Sequence, residues 1–181
     1  MADPSGFALF ATAIGRCGIA WGEHALVGVQ LPESNDAATR VRLLRGLPQL
    51  RESEPPPWVQ LAIVRIQALL NGLQDDLADI PLDMEGVPPF HQRVYDITRA
   101  IPPGRTLTYG EVARRLGDPA AARAVGQALG HNPFAPVVPC HRVLAAHSGA
   151  GGFSAEGGVA TKLRMLEIEK AQVGSERGLF D

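Results

Sequence analysis

The stretch Thr108-Tyr109-Gly110-Glu111-Val112-Ala113-Arg114-Arg115-Leu116-Gly117-Asp118-Pro119-Ala120-Ala121-Ala122-Arg123-Ala124-Val125-Gly126-Gln127-Ala128-Leu129 decides how this chain folds. Thr108, followed three residues later by Glu111, forms a capping box. Its hydroxyl accepts from the Glu111 amide, and the Glu111 carboxylate accepts from the Thr108 amide. A helix therefore starts at Tyr109, runs to Leu116 and stops at Gly117. Asp118 is placed to cap a second helix, Pro119 to Leu129, and proline suits its first position because an amide proton there would have no partner. The second helix is nearly bare. Ala120, Ala121, Ala122, Ala124, Gly126 and Ala128 leave little side-chain bulk, and Arg123 projects from this smooth surface as a single long cation. Helix, short turn, helix is the length pattern of a helix-turn-helix. A tightly packed helical hairpin with a solvated arginine has the same pattern, so the stretch by itself sets local structure and not function.

Downstream lies Val137-Val138-Pro139-Cys140-His141-Arg142-Val143-Leu144. Val137-Val138 reads as the end of an extended strand, because Pro139 keeps Val138 out of helical conformation. Cys140 then falls at a turn, beside an imidazole that can favour its thiolate, the nucleophilic form. Cys17 has no such neighbour. A Cys-His pair needs a third group to orient the imidazole, and Glu169, Glu167 and Glu111 are all candidates by spacing. Consecutive ligands are poor metal spacing, so zinc on Cys140, His141 and His147 is disfavoured. A buried, inert cysteine is the other reading. The glycines after residue 148 are suited to a loop that closes over a flat ligand, and Thr161 to Lys170 reads as a final helix.

Upstream, Phe7 to Ile14 and Ile19 to Leu31 are rich in β-formers and broken by glycines, which predicts an antiparallel meander. Asp36 to Leu44 is helical, with Asn35 or Asp36 as cap. Glu54-Pro55-Pro56-Pro57 is a stiff break. Trp58 to Leu70 carries Leu61, Val64 and Ala68 together with Ile63, Ile66, Leu69 and Leu70, which predicts a helix with one broad apolar face. Asp75 to Pro89 reads as the connection between two lobes, and Pro89 to Ala100 as a helix with Phe90, Val94 and Ile97 on one side.

Composition narrows the class. The chain has 181 residues, two cysteines and a net charge of −2, with no window apolar enough to span a bilayer, and Met1-Ala2-Asp3-Pro4-Ser5 lacks the basic, then apolar, run expected of a secretory signal. A reduced, cytoplasmic protein is expected. The charge is uneven, −5 over residues 1–89, +4 over 90–170 and −1 over the remaining tail. A polyanionic partner for the second half fits this split.

Residues 87–170 resemble the O6-alkylguanine-DNA alkyltransferases. The resemblance rests on Phe90-His91-Gln92-Arg93-Val94-Tyr95, Ile101-Pro102-Pro103-Gly104-Arg105-Thr106, Thr108-Tyr109-Gly110-Glu111-Val112-Ala113, Ala122-Arg123-Ala124-Val125-Gly126, His131-Asn132-Pro133 and Val138-Pro139-Cys140-His141-Arg142-Val143, in the family's order and spacing. It implies a degenerate ribonuclease-H-like α/β domain over residues 1–86. A mainly α-helical DNA-binding and alkyl-acceptor domain, helix-turn-helix and winged-helix-like, follows over 87–171, with a tail over 172–181. The implied function is direct-reversal DNA repair. An alkyl group moves irreversibly from O6-alkylguanine, or from O4-alkylthymine as a second substrate, to Cys140, with no cofactor and no metal.

The resemblance also assigns roles. Cys140 would be the acceptor, His141 a base acting through water, Glu169 the acid that orients it, and Asn132 the asparagine of the turn before the active site. Tyr109 would assist rotation of the nucleotide and donate to guanine N3. Arg123 would fill the space left by the flipped base. Ala122, Ala124 and Gly126 would lie in the minor groove of duplex DNA, where small residues allow close approach without sequence readout; Arg142 is placed with these DNA contacts. Val143, Phe153 and Ser154 would line the base pocket, and the protein would act as a monomer. Phe153 stands where many members have tyrosine, in a longer loop, so an altered adduct preference is an alternative. A lesion-binding module without transfer is another, although such proteins lack the acceptor cysteine. A Cys-His hydrolase is a third; it needs an oxyanion hole of which the chain shows no sign.

Overall fold

The computed structural model describes residues 4–146 and 158–171. The first lobe opens with β1 (Gly6–Thr12), β2 (Gly15–Trp21) and β3 (Leu26–Gln30), an antiparallel meander in the order β1-β2-β3. Gly15, at φ +122, makes the tight β1–β2 turn that a side chain would resist. Helix α1 (Asp36–Leu43) starts at Asn35, whose side chain accepts from the Ala38 amide. Helix α2 (Pro57–Leu70) starts where the proline run ends, with proline in its first turn.

α2 corrects the sequence reading of its face. Val59, Ala62, Ile66, Leu69 and Leu70 are buried, whereas Leu61 and Val64 are 60% and 57% exposed. The buried set follows the stripe at i, i+3, i+7 that meets the sheet; Leu61 and Val64 lie outside that arc. The connection after α2 is tied down by Arg65, which donates to both oxygens of Asp75 at 2.8 Å and pairs with Asp79 at 2.7 Å.

The second lobe holds α3 (Pro89–Arg99), β4 (Leu107–Thr108), α4 (Tyr109–Arg115), α5 (Ala122–Gly130), β5 (Val143–Leu144) and α6 (Val159–Ile168). The capping box at Thr108 is formed, with both of its hydrogen bonds at 3.0 Å. The second helix of the pair begins differently from the expectation. Pro119–Ala121 is a 3-10 turn, Asp118 makes no side-chain cap, and the α-helix starts only at Ala122. Val137-Val138 is likewise not a strand. The Val138 amide reaches back to the Phe134 carbonyl, Cys140–Arg142 forms a 3-10 turn, and the extended pair is the next one, β5, which runs parallel to β4.

There are two main cores. One lies between the meander and α2 and takes in Val137 and Met165 from the second lobe. The other gathers Val94, Tyr95, Val112, Val125, Leu129, Phe134 and Val143 around Cys140. The edge strand β3 joins the lobes: the Val29 amide donates to the Pro133 carbonyl, and the Leu26 amide to Pro81. α3 is bolted to α5 by the buried Tyr95 hydroxyl, which donates to the Ala128 carbonyl at 2.7 Å. No helix among the described residues is long and apolar enough to cross a membrane.

The Tyr95 bolt can be weighed. Tyr95→Phe keeps the ring and leaves the Ala128 carbonyl short of a donor, and it should destabilise the protein by about 1 kcal/mol. The check is a urea titration in which the midpoint falls and the slope is unchanged.

Candidate active site

Cys140 sits at the start of the 3-10 turn, 7% exposed, between the end of α5 and the face of α6. Asn132, in the turn after α5, supports it from one side. Its Nδ2 donates to the Val138 carbonyl at 2.8 Å, its Oδ1 accepts from the Phe134 amide, and its side chain lies close enough to the thiol to favour the thiolate. Burial pushes the thiol above its ordinary value. The Asn132 contact, the Lys162 charge and the amides of Cys140 and His141 pull the other way without cancelling it. The resting group is therefore a thiol, and a base must take its proton before it can attack.

His141 is fully buried and its Nε2 lies 2.8 Å from Glu169 Oε2. Burial lowers its proton affinity, opposed by Glu169. The imidazole is thus neutral, and since a carboxylate only accepts, the proton is on Nε2. Nδ1 then carries the lone pair, and it has no hydrogen-bond partner among the described residues. A buried imidazole with its lone pair free is a base in waiting. Of the three candidate acids, Glu111 is engaged in the capping box and Glu167 is exposed, while Glu169 reaches His141.

Glu169 is held by more than histidine. Arg142 Nε donates to Oε1 at 2.9 Å, its second terminal nitrogen donates to Oε2 at 2.8 Å, and the remaining one donates to the Ile101 carbonyl at 2.7 Å. Arg142 is 1% exposed. Its assignment to DNA contact is therefore corrected: the whole guanidinium is used inside the protein, in a fork geometry that suits a carboxylate. Burial raises the Glu169 pKa, but the hydrogen bonds from Arg142 and His141 outweigh it and bring it down to about 2.

Lys162 is the residue that sequence reasoning missed. It is 1% exposed, its Nζ donates to the Val143 carbonyl at 2.7 Å and lies 5.7 Å from the centre of the Tyr109 ring. Burial brings its ammonium down to about 8, against the opposing effect of Cys140. A signal was available. Lys162, Met165, Leu166 and Glu169 form the buried stripe of the last helix, and two charges on an apolar stripe mark buried chemistry.

The remaining predicted residues divide by position. Tyr109, half-buried at the start of α4, faces α5 near Gly126, where an added Cβ would lie 3.8 Å from the ring. Arg123 is exposed, and Ala122, Ala124 and Gly126 are half-buried on α5. Val143 is buried in β5. Phe153 and Ser154 lie outside the described residues. No cluster of three or more metal-ligating side chains occurs among the described residues.

The ionic cluster predicts acid sensitivity. His141 and Glu169 both bind protons less readily folded than unfolded, so acid favours the unfolded chain. Stability present at neutral pH should fall once pH drops through 6.5, where unfolded histidine protonates, and again between 4.5 and about 2 as Glu169 titrates. Glu169→Gln should cost about 3–5 kcal/mol by leaving Arg142 buried and unpaired, and should flatten the lower part of the curve. Denaturant titrations across pH measure both.

Comparison with known proteins agrees with this geometry. Residues 89–171 match the family model described as 6-O-methylguanine DNA methyltransferase, DNA binding domain. The methylated-DNA–protein-cysteine methyltransferase of Methanothermobacter thermautotrophicus is 37% identical over 147 residues, 81% of either chain. That of Mycobacterium tuberculosis is 47% identical over 103 residues, 57% of this chain and 61% of the relative. The crystal structure of Mycobacterium tuberculosis OGT in complex with DNA superposes with a TM-score of 0.72 at 32% identity, covering 97% of this chain and 99% of the other. The methyltransferase of Pyrococcus kodakaraensis superposes at 0.70 with 29% identity, covering 90% and 98%. With two lobes that match these alkyltransferase folds and a buried cysteine beside a carboxylate-held histidine, the chain belongs to the methylated-DNA–protein-cysteine methyltransferase family.

Proposed function

We propose that Cys140 is the acceptor in direct-reversal repair of DNA, taking the alkyl group from O6-alkylguanine in a single irreversible turnover. The observation that carries this reading is the pairing of His141 with Glu169 through Nε2, which leaves Nδ1 of the residue next to Cys140 with its lone pair free to act as a base. In the step itself His141 takes the thiol proton, through water. The sulfur forms a bond to the alkyl carbon, the carbon–O6 bond breaks, and its electron pair leaves on the guanine. Tyr109 donates a hydrogen bond at N3 as charge builds on the departing base, and the proton taken by His141 passes back through water to the guanine, so the thiol proton ends on the restored base. The product is a thioether, and no nearby group among the described residues offers a way back.

Lys162 adds a second support. A cation buried near the sulfur favours the thiolate as it forms, and its low proton affinity allows it to share the proton inventory of the site. Asn132 holds the sulfur in place from the opposite side. Glu169 orients the base while remaining ionised itself.

Duplex DNA is reached by α4 and α5, read here as a helix-turn-helix whose bare second helix lies in the minor groove. Ala122, Ala124 and Gly126 allow close approach to the sugar-phosphate backbone, and Arg123 occupies the place of the extruded base, where unstacking costs a few kcal/mol. The division into a ribonuclease-H-like lobe over 1–86 and an acceptor domain over 87–171 fits the two cores. A monomer is sufficient, because every group named belongs to one chain.

The test is direct. Mixing the protein with duplex DNA bearing O6-methylguanine should add the mass of one methylene to the Cys140 peptide and restore guanine. Intact mass without that gain overturns the reading. Cys140→Ala should abolish transfer and retain DNA binding, measured by fluorescence anisotropy. Lys162→Met should slow transfer at neutral pH and move the pH–rate profile towards alkaline values, measured by single-turnover kinetics.

A further inference from the structure

We propose that His91 and His131 form a two-histidine site for a borderline-soft divalent ion of the zinc, nickel or copper class. The two imidazole rings lie near each other where α3 packs on α5, with centres 5.9 Å apart and planes tilted by 31°. Two imidazoles that share one ion, at metal–nitrogen distances near 2.0–2.1 Å, have ring centres roughly 5–6.5 Å apart, depending on the angle at the metal. An aromatic pair tolerates the same spacing, so distance alone does not decide the matter.

A second observation favours an ion. His131 Nδ1 lies 2.8 Å from the Gln127 carbonyl oxygen, one turn back at the end of α5. A carbonyl accepts and never donates, so the proton of a neutral ring is on Nδ1. Nε2 therefore carries the lone pair and is free to bind an ion. A backbone carbonyl on the far nitrogen is the arrangement that fixes tautomer and orientation in metal-binding histidines, and it raises the basicity of the ligating nitrogen. His131 is exposed and His91 half-exposed, so an ion can enter from solvent.

The frame beneath the pair is stiff. His91 is one turn before Tyr95 on α3, whose ring it meets edge-on at 6.1 Å, and His131 is three residues after Ala128. The Tyr95–Ala128 hydrogen bond joins the helices directly below both histidines. No third protein ligand joins them among the described residues, so water completes the shell, and the ion is held more weakly than at a closed four-ligand site. Its effect follows from its place. His131 precedes Asn132, so an ion here braces the turn that supports Cys140 and ties it to α3.

The test uses Zn2+ with the full-length wild-type protein. Imidazole nitrogen resonances of His91 and His131 should shift with added Zn2+ while those of exposed His24 stay in place. Calorimetry should show one ion bound, with affinity reduced about tenfold or more in both His91→Ala and His131→Ala. Zn2+ should also raise the melting temperature of the wild type and of neither variant. Unmoved His91 and His131 resonances in excess Zn2+, or two variants that bind as the wild type does, overturn the proposal. The resonance experiment needs no variant and so stands even if a substitution unfolds the chain.

Discussion

The buried cluster of Arg142, Glu169 and His141 is the constraint on which the rest depends. A carboxylate and a guanidinium removed from water are tolerated only when each finds full compensation. Here the fork of Arg142 meets both oxygens of Glu169, and its last nitrogen closes on the Ile101 carbonyl at the end of α3. The cluster therefore locks three segments that are far apart in sequence: the end of α3, the 3-10 turn of Cys140 and the end of α6. The same contacts hold the imidazole beside Cys140, because the oxygen that accepts from Arg142 also fixes the His141 tautomer. A change that loosens the cluster loses stability and the orientation of that ring together.

Around this cluster the site balances two opposed tendencies of burial. Burial disfavours the thiolate of Cys140 and the ammonium of Lys162 alike, yet each charge favours the other. A thiol that ionises only as it reacts is protected from adventitious electrophiles, which suits a protein that each transfer consumes. Asn132 supports the sulfur from a turn that is itself hydrogen-bonded to β3 through Pro133. The first lobe thus reaches the site through backbone contacts and contributes none of the reacting groups.

Much of the fold was legible because short-range physics decides it. The Asn35 cap, one of the two candidates, and the Thr108–Glu111 box need only their neighbours, and both are in place. The failures have a common origin. Leu61 and Val64 look like core residues on composition, but which arc of α2 is buried depends on where the sheet lies. Val137-Val138 looks extended, but the Phe134 carbonyl captures the Val138 amide and delays the strand to Val143. Arg142 was placed with the DNA contacts, but the turn points it inwards onto Glu169 and the Ile101 carbonyl instead.

Sequence by itself determined the family motifs, the helix pair at 109–130 and the identity of the reactive cysteine and its histidine neighbour, since each is written in consecutive residues with local causes. Tertiary structure decided which acid holds the imidazole, which nitrogen is left without a partner, that Arg142 is buried and that Lys162 lies beside the site. These depend on α6 packing against the 3-10 turn from more than twenty residues away. Side-chain pairing of that kind follows from which faces meet, and spacing along the chain does not specify it.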